Sequence, residues 1–197
     1  MPQFSPSQSP LGERFANALV YAHQLHAHQV RKGSGIPYVA HLLSVTALVL
    51  EDGGTEDEAI AALLHDAVED QGGEPILQAI QEQFGDTVAS IVDGCTDSVT
   101  IPKPPWRNRK ENHLKFLEQA TTPVLRITLA DTLHNARSIY SDLRQIGPQL
   151  WTRFKGGRDG TLWYYRSLLE LIQVRKPSPL TSELDQVLMA IESWSKS

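Results

Sequence analysis

The chain of 197 residues has a single cysteine, Cys95. One thiol excludes an intrachain disulfide and any Cys-rich zinc site, so a bound metal must use imidazole and carboxylate groups. Positive charge is also in short supply, with 18 Lys and Arg against 23 Asp and Glu and a net charge of -5. That balance argues against a broad nucleic-acid surface, while a small anionic ligand in a local basic pocket stays compatible. No apolar run is long enough to span a bilayer, and the first ten residues lack the basic and apolar regions of a signal peptide. The expectation is a cytoplasmic protein with no membrane and no nucleic-acid partner, compatible with a homo-oligomer. Heptads, internal repeats and βαβ patterns are missing as well.

What is present is enough apolar sequence, 41%, for one full core. Residues 1–10, with three prolines among polar side chains, read as a flexible leader, and 11–197 as one domain. Phe15, Leu19, Ala22 and Leu25 recur at helical spacing in a first helix reaching about residue 30, before the loop Arg31-Lys32-Gly33-Ser34-Gly35. Pro37 suits the start of a second helix, carrying His41 and stopped by Gly53-Gly54. Thr55-Glu56-Asp57-Glu58 is a capping-box pattern opening a third helix, on which His65 and Asp66 lie. Further helical patterns cover 75–84, 86–96 and 106–120, with a Pro-rich turn at 101–105. Thr122-Pro123 opens another that runs to about Tyr140. The alternation of Val124 to Leu129 keeps a strand in competition there until Ala130 restores helical spacing; helix is favoured. Two more patterns follow Gly156-Gly157, and the whole reads as an all-α globule.

The chemistry concentrates in Leu63-Leu64-His65-Asp66-Ala67-Val68-Glu69-Asp70. On a continuous helix Asp66, Glu69 and Asp70 share one side with His65. Three carboxylates in a last turn oppose the helix macrodipole and repel one another, a conflict that a bound cation resolves. Taken alone, a His-Asp dipeptide is more often a surface acid beside a packed histidine, and His41 or Asp131 alone is more often a packed or satisfied polar group.

Three segments change that weighting: Arg31 to His41, Leu63 to Asp70, and Leu129-Ala130-Asp131-Thr132-Leu133-His134-Asn135. In order and spacing they resemble the HD-domain superfamily, and more closely the ppGpp hydrolases of the RelA/SpoT type and the small alarmone hydrolases. The resemblance covers roughly residues 14 to 140 and implies a helical HD-domain fold. It also implies one divalent ion, usually manganese, held by His41, His65, Asp66 and Asp131. The donor chemistry itself suits manganese, iron or zinc about equally. By the same resemblance Glu69 and Asp70 handle the attacking water, and Arg31 and Lys32 receive base and phosphate. Tyr38 is expected to stack or to pack in the core. Asn135 is expected to face the same cavity as Asp131, with His134 supporting the ligands.

The chain departs from the long bifunctional enzymes at Thr128 and Thr132, where those enzymes usually carry cations. Lys155 and Arg158 are the candidates for compensation. The length leaves no room for an appended synthetase, so the expected activity is hydrolysis of the 3′-pyrophosphate of ppGpp without synthesis. The alternatives are a phosphatase for another nucleotide such as NADPH, and a catalytically silent nucleotide-binding regulator.

Overall fold

The computed structural model describes residues 11–97 and 104–194. The leader 1–10, most of the proline-rich turn at 101–105 and the last three residues of the expected domain lie outside them. Ten α-helices make up nearly all the regular structure among the described residues: α1 (Glu13–Leu25), α2 (Val39–Glu51), α3 (Glu56–Leu64), α4 (Ala67–Gln71), α5 (Glu74–Phe84), α6 (Asp86–Cys95), α7 (Trp106–Leu117), α8 (Thr122–Ile146), α9 (Gly157–Arg175) and α10 (Pro179–Trp194). A 3-10 segment, Gly147–Arg153, joins α8 to α9. The all-α expectation holds, and the segment Val124 to Leu129 is helical, so the strand alternative falls.

α3 is the axis of the core. Its residues Ala59 through Leu64 are all 0% exposed, as expected of a helix that is apolar on every side. The capping box forms as read: Thr55 Oγ1 accepts from the Glu58 amide at 3.4 Å, and Glu58 Oε2 accepts from the Thr55 amide at 2.7 Å. α2, α6 and α8 pack around α3, and α10 lies along α8. Ile127, Leu129, Leu133, Ala136 and Leu143 give the 25-residue α8 its buried stripe.

Several boundaries differ from the sequence expectation, and those on either side of the basic loop and after Leu64 shape the site. The first helix stops at Leu25 instead of near residue 30, and α2 starts at Val39, two residues past Pro37. Between them the chain folds back on itself: Val30 and Pro37 form an isolated antiparallel bridge, the Arg31 amide donates to Ile36 O, and the Tyr38 amide donates to Gln29 O. Gly33 and Gly35 take φ of 87° and 69° in that turn, a region closed to most side chains. The expected third helix is also broken, with α3 ending at Leu64 and α4 starting at Ala67. His65 Nδ1 donates to Ala62 O at 2.9 Å, competing for the carbonyl that the Asp66 amide would use in a continuous helix.

A buried ionic cluster ties these helices together behind the site. Asp52, at the end of α2, meets Arg126 of α8 at 3.0 Å and also pairs with Lys176 after α9, while Glu58 of α3 pairs with Arg126. Burial opposes ionisation of Asp52, yet Lys176 and Arg126 hold its pKa below the ordinary carboxylate value. Arg126→Met strips Glu58 of its cation, so urea unfolding should show a loss of about 3 kcal/mol. The same variant should keep its metal stoichiometry, because the cluster contains no metal-ligand candidate.

Candidate metal centre

Four side chains converge where α2, the α3–α4 break and α8 meet. His41 Nε2 lies 3.5 Å from Asp66 Oδ2 and 3.2 Å from Asp131 Oδ1. His65 Nε2 lies 3.1 Å from Asp66 Oδ2 and 3.9 Å from Asp131 Oδ1. Ligand atoms of His41, His65 and Asp66 all fall within 4.8 Å of one another, close enough to share one ion. Both histidines are buried, while the two carboxylates keep a quarter to a third of their side-chain surface open to the cavity.

The hydrogen bonds behind the rings fix which nitrogen faces inward. His65 Nδ1 is committed to Ala62 O, which leaves its buried Nε2 without a hydrogen-bond partner and aimed at two carboxylates. His41 Nδ1 lies 2.7 Å from His134 Nδ1. Burial, then the neighbouring His41 and Arg31, pull His134 down to about 4, so it stays neutral and accepts the His41 Nδ1 proton. Each ligand ring therefore presents Nε2 to the centre. Such outer hydrogen bonds are the usual support of metal-binding imidazoles.

Lone pairs facing carboxylate oxygens repel unless a cation lies between them. A proton fills that role in part: burial works against it, yet Asp66 and Asp131 raise His65 to about 9. The imidazoles in turn hold Asp66 well below, and Asp131 below, the ordinary carboxylate value, against the effect of burial. A donor set of two imidazoles and two carboxylates fits a divalent ion.

A hydrogen-bonded layer backs the carboxylate side. Tyr38 OH donates to Asp66 Oδ2 at 2.5 Å, and its ring stacks on His26 with 5.2 Å between centroids. Gln29 Nε2 donates to Asp70 Oδ2 at 2.7 Å, and Gln71 Nε2 donates to Gln29 Oε1. Tyr38 thus supports a ligand as well as lining a cavity, a role the sequence expectation of stacking or packing did not contain.

Two cavities adjoin beside the cluster, and only the smaller touches it. The smaller, about 220 Å³, is lined by His65, Asp66, Glu69 and Asp131, with Lys155 on its wall. The larger, about 720 Å³, is lined by Arg31, Lys32 and Tyr38. Asn135, Phe154 and Tyr165 line both. Arg31 Nη2 donates to Asn135 Oδ1 at 2.8 Å, and Asn135 Nδ2 donates to Asp131 Oδ1 at 2.6 Å, so the basic loop is wired to a ligand. Lys32 Nζ donates to Arg153 O at 3.1 Å.

Asp70 and Arg158 depart from expectation, since neither lines either of these two cavities. Adjacent on α4, Glu69 faces the smaller cavity while Asp70 turns to Gln29. Arg158 pairs with its neighbour Asp159 at 2.8 Å. Sequence reading missed Asp97, Trp106, Lys110, His113 and Thr161, all on the smaller cavity's wall. The expected helix over 106–120 carries three of them; their spacing was available, their destination was not. Cys95 lines the same wall, where burial and then Asp131 and Asp66 push its thiol pKa up.

In chelator-stripped protein His65, at about 9, carries a proton at neutral pH that an incoming ion must displace. Calorimetry of Mn2+ binding at pH 7.5 in buffers of different ionisation enthalpy should show about one proton released per ion. Apparent affinity should rise about tenfold per pH unit up to pH 9 and level off above it. His65→Ala should abolish the proton release together with tight binding.

Comparison with known proteins places this geometry. The family model for the HD domain matches residues 18–162. The Xenopus tropicalis guanosine-3′,5′-bis(diphosphate) 3′-pyrophosphohydrolase MESH1 is 34% identical over 135 residues, 67% of this chain and 70% of that protein. The human MESH1 of the same name is 31% identical over 138 residues, 68% of this chain and 72% of that one. A probable GTP pyrophosphokinase of Mycobacterium leprae is 39% identical over 123 residues, but the chain spans only 15% of its length. Among solved structures, one described as a metazoan ortholog of SpoT that hydrolyses ppGpp superposes with a TM-score of 0.73 at 24% identity, covering 92% of this chain and 97% of that one. A Listeria monocytogenes protein gives 0.65 at 28%, covering 80% and 99%. With the family model spanning the whole ligand set and the backbone sharing that fold, the chain belongs to the HD-domain family.

Proposed function

We propose that this chain hydrolyses the 3′-pyrophosphate ester of ppGpp, giving GDP and pyrophosphate. The observation that carries the reading is a cavity lined by three of the four candidate ligands, His65, Asp66 and Asp131, adjoining a larger one at Asn135, Phe154 and Tyr165. The larger has a basic, hydrogen-bonding wall, and the smaller places Glu69 beside the ligands. The similarity to MESH1 over 70% of that protein's length supports the choice of substrate.

His41, His65, Asp66 and Asp131 would hold a divalent ion, proposed as manganese, which would supply Lewis-acid charge to the reaction when bound. Arg31 and Lys32 receive the nucleoside and its 5′-diphosphate in the larger cavity, with Tyr38 and Asn135 fixing the near end. Glu69 takes a proton from the attacking water. The water oxygen bonds to the ester phosphorus, the bond from that phosphorus to O3′ breaks, and O3′ gains a proton. Asp70 acts through Gln29, holding α4 against the basic loop. Lys155 adds positive charge at the smaller cavity, whereas Arg158, paired with Asp159, lines neither cavity. A nucleotide substrate fits the cytoplasmic location expected of the sequence.

Thr128 and Thr132 both line the smaller cavity without charge, which keeps another phosphorylated nucleotide in contention. Comparing kcat/KM for ppGpp, NADPH and simple nucleotides on manganese-loaded protein decides between them, with ppGpp expected to lead. No turnover of ppGpp would overturn the proposal. Glu69→Gln should lower kcat by about a hundredfold or more, and Asp70→Asn by about tenfold. Both variants should retain bound metal by elemental analysis.

A further inference from the structure

The smaller cavity is short of positive charge at the place where the proposed reaction must put a pyrophosphate. Its wall holds four carboxylates, Asp66, Glu69, Asp97 and Asp131, against two lysines, Lys110 and Lys155. A bound divalent ion would just offset that imbalance, so the anion depends on each remaining cation. Thr128 and Thr132, also on the wall, contribute none.

α7 makes up part of this shortfall. Trp106, Lys110 and His113 stand at i, i+4 and i+7, one face of the helix, and all three line the cavity. The same face continues to Leu117, which is fully buried, and Trp106 packs against the core, so Lys110 and His113 are the polar members of the inward face of α7. Trp106 seats the first turn: a Cβ added at Gly156 would come within 2.7 Å of its ring, and one at Gly160 within 3.1 Å. Only residues without side chains let α7 approach this closely. Lys110 is then held from two sides, with Nζ 2.8 Å from Asp97 Oδ2 and 4.7 Å from the centre of the Tyr164 ring. Arg109 also pairs with Asp97, at 2.7 Å, so Asp97 is neutralised from behind and Lys110 keeps charge to offer the cavity. His113 Nδ1 meets Tyr164 OH at 2.7 Å, while its Nε2 is buried with no protein partner. With Tyr164 donating to Nδ1, that Nε2 carries a hydrogen and is a donor without an acceptor.

We propose that Lys110, seated by Asp97 and Tyr164, is the cation that binds the departing pyrophosphate, and that His113 adds a neutral donor beside it. This assignment rests on the hydrolase reading above and gives the smaller cavity to the leaving group and the larger one to the nucleoside.

The test is product inhibition of ppGpp hydrolysis by the manganese-loaded full chain, with inorganic pyrophosphate and GDP as separate inhibitors. Lys110→Met should raise the Ki for pyrophosphate about tenfold or more while leaving that for GDP within about twofold. Lys110→Arg should bring the pyrophosphate value back to within about threefold of the parent. An unchanged pyrophosphate Ki in Lys110→Met overturns the proposal, and so does a loss confined to GDP. If that variant melts early, the double variant Lys110→Met with Asp97→Asn removes both buried charges together and is read by the same two constants. If the parent chain fails to hydrolyse ppGpp, the hydrolase reading falls by itself. Calorimetric binding of pyrophosphate to parent and Lys110→Met then decides the role of Lys110 alone.

Discussion

The site of this molecule depends on a crowding of imidazoles and carboxylates that a proton on His65 relieves only in part. Two imidazole nitrogens and two carboxylates are pressed together at the crossing of α2, α3 and α8, with His41 Nε2 only 3.2 Å from Asp131 Oδ1. The groups do not turn away, because each is held from behind. His65 is tied to Ala62 O, His41 to His134, Asp66 to Tyr38 and Asp131 to Asn135. The rigidity of those attachments comes from α3, whose apolar residues from Ala59 to Leu64 are completely enclosed and so close-packed. The core stores the arrangement, and a cation completes it.

The main outline of this could be read from residue types and spacing. The capping box at Thr55 announced α3 because its two reciprocal hydrogen bonds are local, whereas the alternation of Val124 to Leu129 at the start of α8 left a strand in competition. The ligand set could be read only from three segments taken together, since each histidine or aspartate alone has an ordinary structural use. The break after Leu64 could not be read, because it turns on a side chain, His65, competing for a backbone carbonyl. Glu69 and Asp70, neighbours on α4, diverge by the turn of the helix itself, so one lines the smaller cavity and the other meets Gln29. The stripe Trp106, Lys110 and His113 had helical spacing in plain sight. Its meaning required knowing that α9 presents Gly156 and Gly160 to the tryptophan.

The basic loop shows the same division between local and distant causes. Its glycines and cations mark a turn, and the positive φ at Gly33 and Gly35 bears that out. Its placement is set from far along the chain, by Arg153, whose guanidinium packs against Gly33 and whose carbonyl receives Lys32. Arg153 is in turn paired with Asp142 of α8 at 3.1 Å. The loop is thus fixed to the same helix that supplies Asp131.

That shared helix links the basic wall of the larger cavity to the candidate ligands. Arg31 donates to Asn135, which donates to Asp131, which lies against His41, which is held by His134 on the next turn of α8. Neutral hydrogen bonds of this kind are each worth about 1 kcal/mol, so no single link fixes the carboxylate. Their sum does, because Asp131, His134 and Asn135 all stand on α8 and share its buried stripe as their base.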